Sequence, residues 1–179
     1  MRILIYSINY FPEPTGIGKY NGEMAEWLAN HGHEVVMITA LPYYPWWRVQ
    51  QPYRSWLYRT ELINKVTVHR CPLWVPRHPT GFTRLLHLTS FAFSSIPALL
   101  TQWRWKPTVV LCIAPALMNA PFALAFGRLT GAKTWLHIQP PIRILGRSED
   151  IPISFRLNGL KVGNKGSSLP TKQPPSGLP

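Results

Sequence analysis

Apolar residues gather along this chain in short, closely spaced runs. Residues 2–7 (Arg-Ile-Leu-Ile-Tyr-Ser), 34–39 (Glu-Val-Val-Met-Ile-Thr), 108–113 (Thr-Val-Val-Leu-Cys-Ile) and 133–138 (Lys-Thr-Trp-Leu-His-Ile) are each nearly continuous. Strands of a parallel sheet covered on both faces carry that pattern, because neither row of side chains meets water. Between the first two runs, residues 18–31 place Tyr20, Met24, Trp27, Leu28 and His31 at helical spacing on one face, and Gly32 supplies the stop. Strand, helix and strand in that order form a βαβ unit with a right-handed crossover.

The alternation continues. Residues 41–59, rich in Tyr, Trp, Pro and Arg, have no clean period and read as an ordered loop with at most a turn of helix. Residues 61–70 read as two short strands about a turn at Asn64-Lys65, residues 82–101 as one helix, and residues 119–130 as a helix closed by Gly131. The expected fold class is α/β, a Rossmann-like, doubly wound, mostly parallel sheet. After Gln139 the pattern fades. Residues 140–179 hold seven prolines and five glycines, and residues 164–179 have almost no bulky apolar side chain. Such a segment buries too little surface to offset the cost of ordering it. The domain is therefore placed at 1–139, with 140–179 as a tail that is disordered from about Lys161 onward.

Composition narrows the partners. Lys and Arg number 19 against 7 Asp and Glu, giving a net charge of +12, so an anionic partner is expected: nucleic acid, a phospholipid surface or a phosphorylated substrate. No recognisable nucleic-acid module is present, which leaves that partner disfavoured. Cys71 and Cys112 have neither metal spacing nor a disulfide framework and read as buried, reduced thiols of a cytosolic protein. No Cys or acid cluster joins His31-Gly32-His33, so no metal is expected. The start of the chain lacks the apolar core of a signal peptide. Residues 85–100 fall short of the ~18 apolar residues that span a bilayer. They read either as a buried helix or as a helix facing a membrane, with Trp103, Arg104, Trp105 and Lys106 fitting an interface.

Candidate chemistry lies in residues 9–20, Asn-Tyr-Phe-Pro-Glu-Pro-Thr-Gly-Ile-Gly-Lys-Tyr. In a doubly wound sheet the loop after the first strand lies where ligands bind. Gly16 and Gly18 let main chain approach a ligand, and the helix that follows presents free N–H groups to a phosphate or oxyanion. A ligand-free tight turn is the plainer alternative. Lys19 either meets the anion or is solvated. Tyr20 occupies the Ser/Thr position of a P-loop, and Asn21 the third glycine of a dinucleotide fingerprint, so both motifs fail. Tyr43, Tyr44, Trp46 and Trp47 read as platforms for sugar rings, as interface residues, or as ordinary packing. His137, at the carboxyl end of its strand, is either a functional imidazole or a core histidine.

The stretch from Arg2 to Trp47, with Gly32-His33-Glu34-Val35 leading into the second strand, resembles the opening of a GT-B glycosyltransferase of retaining family 4. Pro42-Tyr43-Tyr44-Pro45 and residues 81–95 are similar to the colanic-acid-type branch, which builds exopolysaccharide on a lipid carrier. The resemblance covers residues 1–139. It implies that this is the acceptor-side half of a GT-B fold, incomplete, with the donor-binding domain lacking. It further implies a nucleotide-sugar co-substrate, a lipid-linked saccharide acceptor, a peripheral site at the inner membrane and no metal or cofactor. Gly16 and Gly18 would approach the donor sugar or its β-phosphate, and His137 the reacting sugar. Two readings follow: a glycosyltransferase, here a truncated and inactive form, or a non-catalytic fragment that binds membrane or glycolipid.

Overall fold

The computed structural model describes residues 1–14, 16–114 and 117–138, together with the backbone of 153–156. Strand β1 (Arg2–Ser7) is followed by helix α1 (Gly16–Asn30), β2 (Glu34–Ala40), β3 (Arg59–Ile63) and β4 (Val66–Cys71). Helices α2 (Gly81–Ser94) and α3 (Ile96–Thr101) precede β5 (Val109–Ala114). A 3₁₀ turn (Leu117–Asn119) opens helix α4 (Ala120–Thr130), and β6 (Lys133–Ile138) and β7 (Ile153–Arg156) complete the described elements. One sheet takes all seven strands in the order β3-β4-β2-β1-β5-β6-β7. The five central strands are parallel, while β3 and β7 are antiparallel edges. The α/β class with a mostly parallel sheet holds. β7 lies within the segment read as tail, and the disorder expected from Lys161 concerns residues outside the described ones.

Each face of the sheet is sealed by helices. Leu4, Tyr6, Ile38, Val110 and Cys112 point to one side and pack with Phe91 of α2, Leu99 of α3 and Phe126 of α4. Ile3, Ile5, Val35, Met37, Val66 and Val68 point to the other and pack with Ala25 and Ala29 of α1. Cys71 and Cys112 are buried free thiols, and desolvation pushes both up to about 12.

Two local expectations are corrected. The face α1 buries is Gly18, Asn21, Ala25 and Ala29, whereas Tyr20 and Trp27 are more than half exposed. Small side chains let the helix backbone sit close to the sheet; of the bulky set, Met24 and Leu28 still pack half-buried against the core, while Tyr20 and Trp27 stand at the surface, where Trp27 stacks on His31 with ring centroids 3.9 Å apart. The helix expected over 82–101 is broken. Its first part starts at a Thr80–Thr83 capping box. It ends at buried Ser95, whose hydroxyl donates to the Ala92 carbonyl (2.9 Å) and pairs with the Tyr6 hydroxyl. Pro97 then sits in the first turn of α3. Beyond α3, Trp103, Arg104 and Lys106 are exposed. Trp105 is half-buried, its carbonyl accepts from Arg2 and its indole N–H donates to Glu34 (3.2 Å), which puts it at the amino end of the strands. The hairpin turn at Asn64-Lys65 forms as read, with φ of 48° and 67°.

The seal between α4 and β6 is tight. A Cβ on Gly127 would lie 2.1 Å from Thr134 Oγ1, and that oxygen is itself buried without a hydrogen-bond partner. Gly127→Ala is therefore expected to cost about 1–3 kcal/mol in urea unfolding. Adding Thr134→Ala, which removes the obstructing hydroxyl, should recover most of that loss. An additive double variant would contradict the contact.

Candidate functional site

The chain leaves β1 at Ser7 and does not enter α1 until Gly16, so the intervening backbone must find partners outside any ladder. Side chains provide them. Asn21, on the buried face of α1, donates to Ser7 Oγ (2.9 Å) and to the Asn9 carbonyl (3.0 Å), tying the helix back to the strand end. Asn9 Nδ2 donates to Glu13 Oε2 (2.8 Å). The other Glu13 oxygen accepts from the amides of Tyr43 (3.2 Å) and Tyr44 (3.0 Å), which belong to the loop after β2. Glu13 is only 3% exposed. Its desolvation raises its pKa, and the amides of Tyr44 and Tyr43, the Asn9 amide and the Arg70 charge oppose the rise.

The two glycines of this loop play different parts. Gly16 has φ +62°, a left-handed conformation, and a Cβ there would meet nothing within 4 Å. Open space lies above it at the N-terminus of α1, whose first turn carries no acidic residue. Gly18 faces inward: a Cβ would stand 2.8 Å from both Glu13 Cβ and Glu13 Oε2 and 3.3 Å from the Tyr10 carbonyl. Its bareness makes room for the buried carboxylate. Lys19 is exposed on the helix surface, 3.8 Å from Glu23 one turn on.

Around this loop the aromatic residues divide. Tyr43 is 5% exposed, with its ring 4.5 Å from His87 and 5.8 Å from Trp47. Its ring is a core element, and Tyr44 and Trp46 are left as the exposed aromatics of the set. His87 is buried, its Nδ1–H donates to the Trp74 carbonyl (2.6 Å), and burial lowers its pKa. A shallow cavity of about 150 Å³ lies further along the same loop, between Tyr53, Arg54, Tyr58 and Arg59.

His137 stands on the same rim. In the parallel register Ser7 pairs with Ile113 and Ile113 with His137, a single row across three strands. Two strand spacings put His137 roughly 10 Å from Ser7, on the face that carries α1. It is half-buried, and burial draws its pKa below the ordinary imidazole value. Thus Gly16, Glu13 and His137 share the carboxyl end of the sheet, where ligands of doubly wound folds bind. Among the described residues no three His, Cys, Asp or Glu side chains converge as metal ligands.

Reasoning from the sequence missed Asn9, Glu13, Asn21 and Arg70. Two signals were available. Glu13 is one of only 7 acids, set between prolines in a bare loop. Alternation from Val66 through Val68 puts Arg70 on the buried face of β4, and it is 1% exposed.

Comparison with known proteins bears on what this rim does. The family model described as a glycosyl transferase 4-like domain matches residues 15–168. Among curated proteins, the chain is 48% identical over 178 residues to the putative colanic acid biosynthesis glycosyl transferase WcaI of Escherichia coli (strain K12). That alignment takes in 99% of this chain and 42% of WcaI, so the chain spans less than half the length of this relative. Both matches run past Gln139, beyond the point where the sequence reading ended the resemblance.

Two measurements check the buried carboxylate. Gly18→Ala forces a methyl group onto Glu13 and should lower unfolding stability by about 1–3 kcal/mol. The pH dependence has a definite sign. Because the folded chain holds the Glu13 proton more tightly than the unfolded chain, the stability this group contributes is greatest at low pH. It declines as pH rises through the window above the ordinary glutamate value of 4.5. The unfolding free energy of the wild type minus that of Glu13→Gln should therefore fall as pH rises above about 4.5. A flat or rising difference would show that Glu13 is not desolvated.

Proposed function

The chain belongs to the glycosyl transferase 4-like family, and from that premise we propose that it forms the acceptor-side half of a retaining glycosyltransferase. The enzyme moves a sugar from a nucleotide-sugar to a lipid-linked saccharide during exopolysaccharide assembly of the colanic-acid type. The observation that carries this reading is the open space above Gly16, at a helix N-terminus with no acidic residue in its first turn. Such a terminus carries roughly half a positive elementary charge, which favours the phosphate of a donor and the charge that grows on a leaving diphosphate. Gly16 brings main chain close to the sugar phosphate. His137, across the rim, contacts the reacting sugar. Basic side chains and helix N-termini stabilise the leaving group, and no metal is required of them.

The acceptor and the membrane share a second surface. Helix α2 buries His87, Phe91 and Ala92 but exposes Phe82 (69%), Leu85, Leu86 and Phe93 (61%), a stripe at helical spacing. Arg77 and Arg84 lie near its start, the Arg84 guanidinium stands 5.4 Å over the Trp47 ring, and Trp74 and Trp46 are exposed. Apolar side chains ringed by arginine and indole suit the headgroup layer of an anionic membrane. No described helix is long and apolar enough to cross a bilayer, so attachment is peripheral in this reading. The same surface supports the other reading, a chain that binds membrane or glycolipid without catalysing transfer.

Two assays separate them. The chain carrying a donor-binding second domain is offered a panel of UDP- and GDP-sugars with a lipid-linked acceptor. Turnover is expected, and His137→Ala should reduce it by about 10²-fold or more; absence of turnover across the panel contradicts the enzymatic reading. In flotation with phosphatidylglycerol vesicles the wild type should float and a Phe82→Ser, Arg84→Glu variant should not. Equal flotation of both would remove the α2 surface from the account.

A further inference from the structure

Among the described residues, Arg70 heads the fully buried side chains by size, with no side-chain surface exposed. A guanidinium in that position is costly to desolvate, and a buried ion pair is weak evidence for stabilisation. Its contacts show what it holds. Nε donates to Glu61 Oε2 (2.9 Å) on β3, Nη1 to the Ala40 carbonyl (3.5 Å) at the end of β2, and Nη2 to the Phe11 carbonyl in the glycine loop. The Tyr53 ring, from the loop after β2, lies 5.0 Å from its Cζ, and the Tyr53 hydroxyl donates to the same Glu61 oxygen (3.2 Å). Glu61 also receives Arg59 (2.9 Å), so this carboxylate is fully engaged.

Glu13 complements this from the opposite polarity. Arg70 captures carbonyls of the glycine loop and of β2, while Glu13 captures amides of the aromatic loop. We propose that Arg70 and Glu13 together are a positioning device. They lock the aromatic loop on the acceptor side to the glycine loop on the donor side, so that the two halves of the rim move as one body. Arg70 touches neither substrate and acts through the Phe11 carbonyl and through Tyr53. The assignment of the loops to acceptor and donor rests on the proposed glycosyl transfer. The mechanical coupling rests on the contacts alone.

Arg70→Lys keeps the charge but offers a point donor in place of a fork, and cannot hold Glu61, Ala40 and Phe11 together. Arg70→Met removes the charge, and the lysine variant keeps the test valid if the methionine variant does not fold. Hydrogen exchange of the chain itself should show at least tenfold faster exchange in residues 9–14 and at the Tyr43 and Tyr44 amides for Arg70→Lys. Strand β5 should keep wild-type protection. In the two-domain enzyme the same variant should lower kcat about tenfold or more while both KM values stay within about threefold, because misplaced groups slow the step more than they weaken binding. Unchanged exchange in those loops, or an even increase that includes β5, overturns the device. So does wild-type kcat in Arg70→Lys. An inactive two-domain wild type would instead sink the transfer reading, and the exchange comparison would still decide the coupling.

Discussion

A chain that leaves the carboxyl end of a parallel strand loses its ladder, and every amide and carbonyl it then buries must be satisfied by something else. In this protein that constraint shapes the whole rim. Two segments leave the sheet side by side, after β1 and after β2, and neither forms regular structure at once. Buried polar side chains meet the demand, Asn9, Glu13, Asn21 and Arg70 foremost, with the Thr39 hydroxyl donating to the Ile8 carbonyl (3.2 Å). The carboxylate takes the amides, the guanidinium takes the carbonyls, and Asn21 returns the helix to the strand end. Because this scaffold is internal, Gly16 is free to stand at the surface with nothing above it.

The sheet itself was open to reading because a double-faced parallel strand is a simple signal. All four continuous runs became central strands, and Asn64-Lys65 became the turn of the β3–β4 hairpin. What hid was the consequence of close packing. The inward face of α1 is built from glycine, alanine and asparagine, and a search for bulky apolar periodicity picks its flank, where Met24 and Leu28 touch the core but Tyr20 and Trp27 do not. The break at Ser95 sits inside an unbroken apolar stretch, where only Pro97 and a buried hydroxyl pair mark it. Tyr43 resembled its exposed neighbours in sequence. Its burial goes with the packing of its ring against His87, a contact between residues 44 positions apart that no local pattern carries.

The site shows the same division. The glycine loop and His137 were visible as residue types at strand ends, and the register does bring them to one rim. The different duties of Gly16 and Gly18 were not visible, since both are bare and only the fold shows which one faces a carboxylate. Charge was informative about class and silent about place. Of the arginines that give the chain its net charge of +12, Arg70 serves the interior, while Arg77 and Arg84 lie near the exposed stripe of α2.

The central claim is that the space above Gly16 receives a sugar phosphate. It is tested most directly by amide-resolved NMR of the chain titrated with UDP- and GDP-sugars to millimolar concentration, where even weak binding shifts resonances. The account predicts shifts confined to Gly16–Lys19, the Glu13 loop and His137. Shifts centred on Gly32 and Gly131, at the amino ends of the strands, or none at all across the panel, would contradict it.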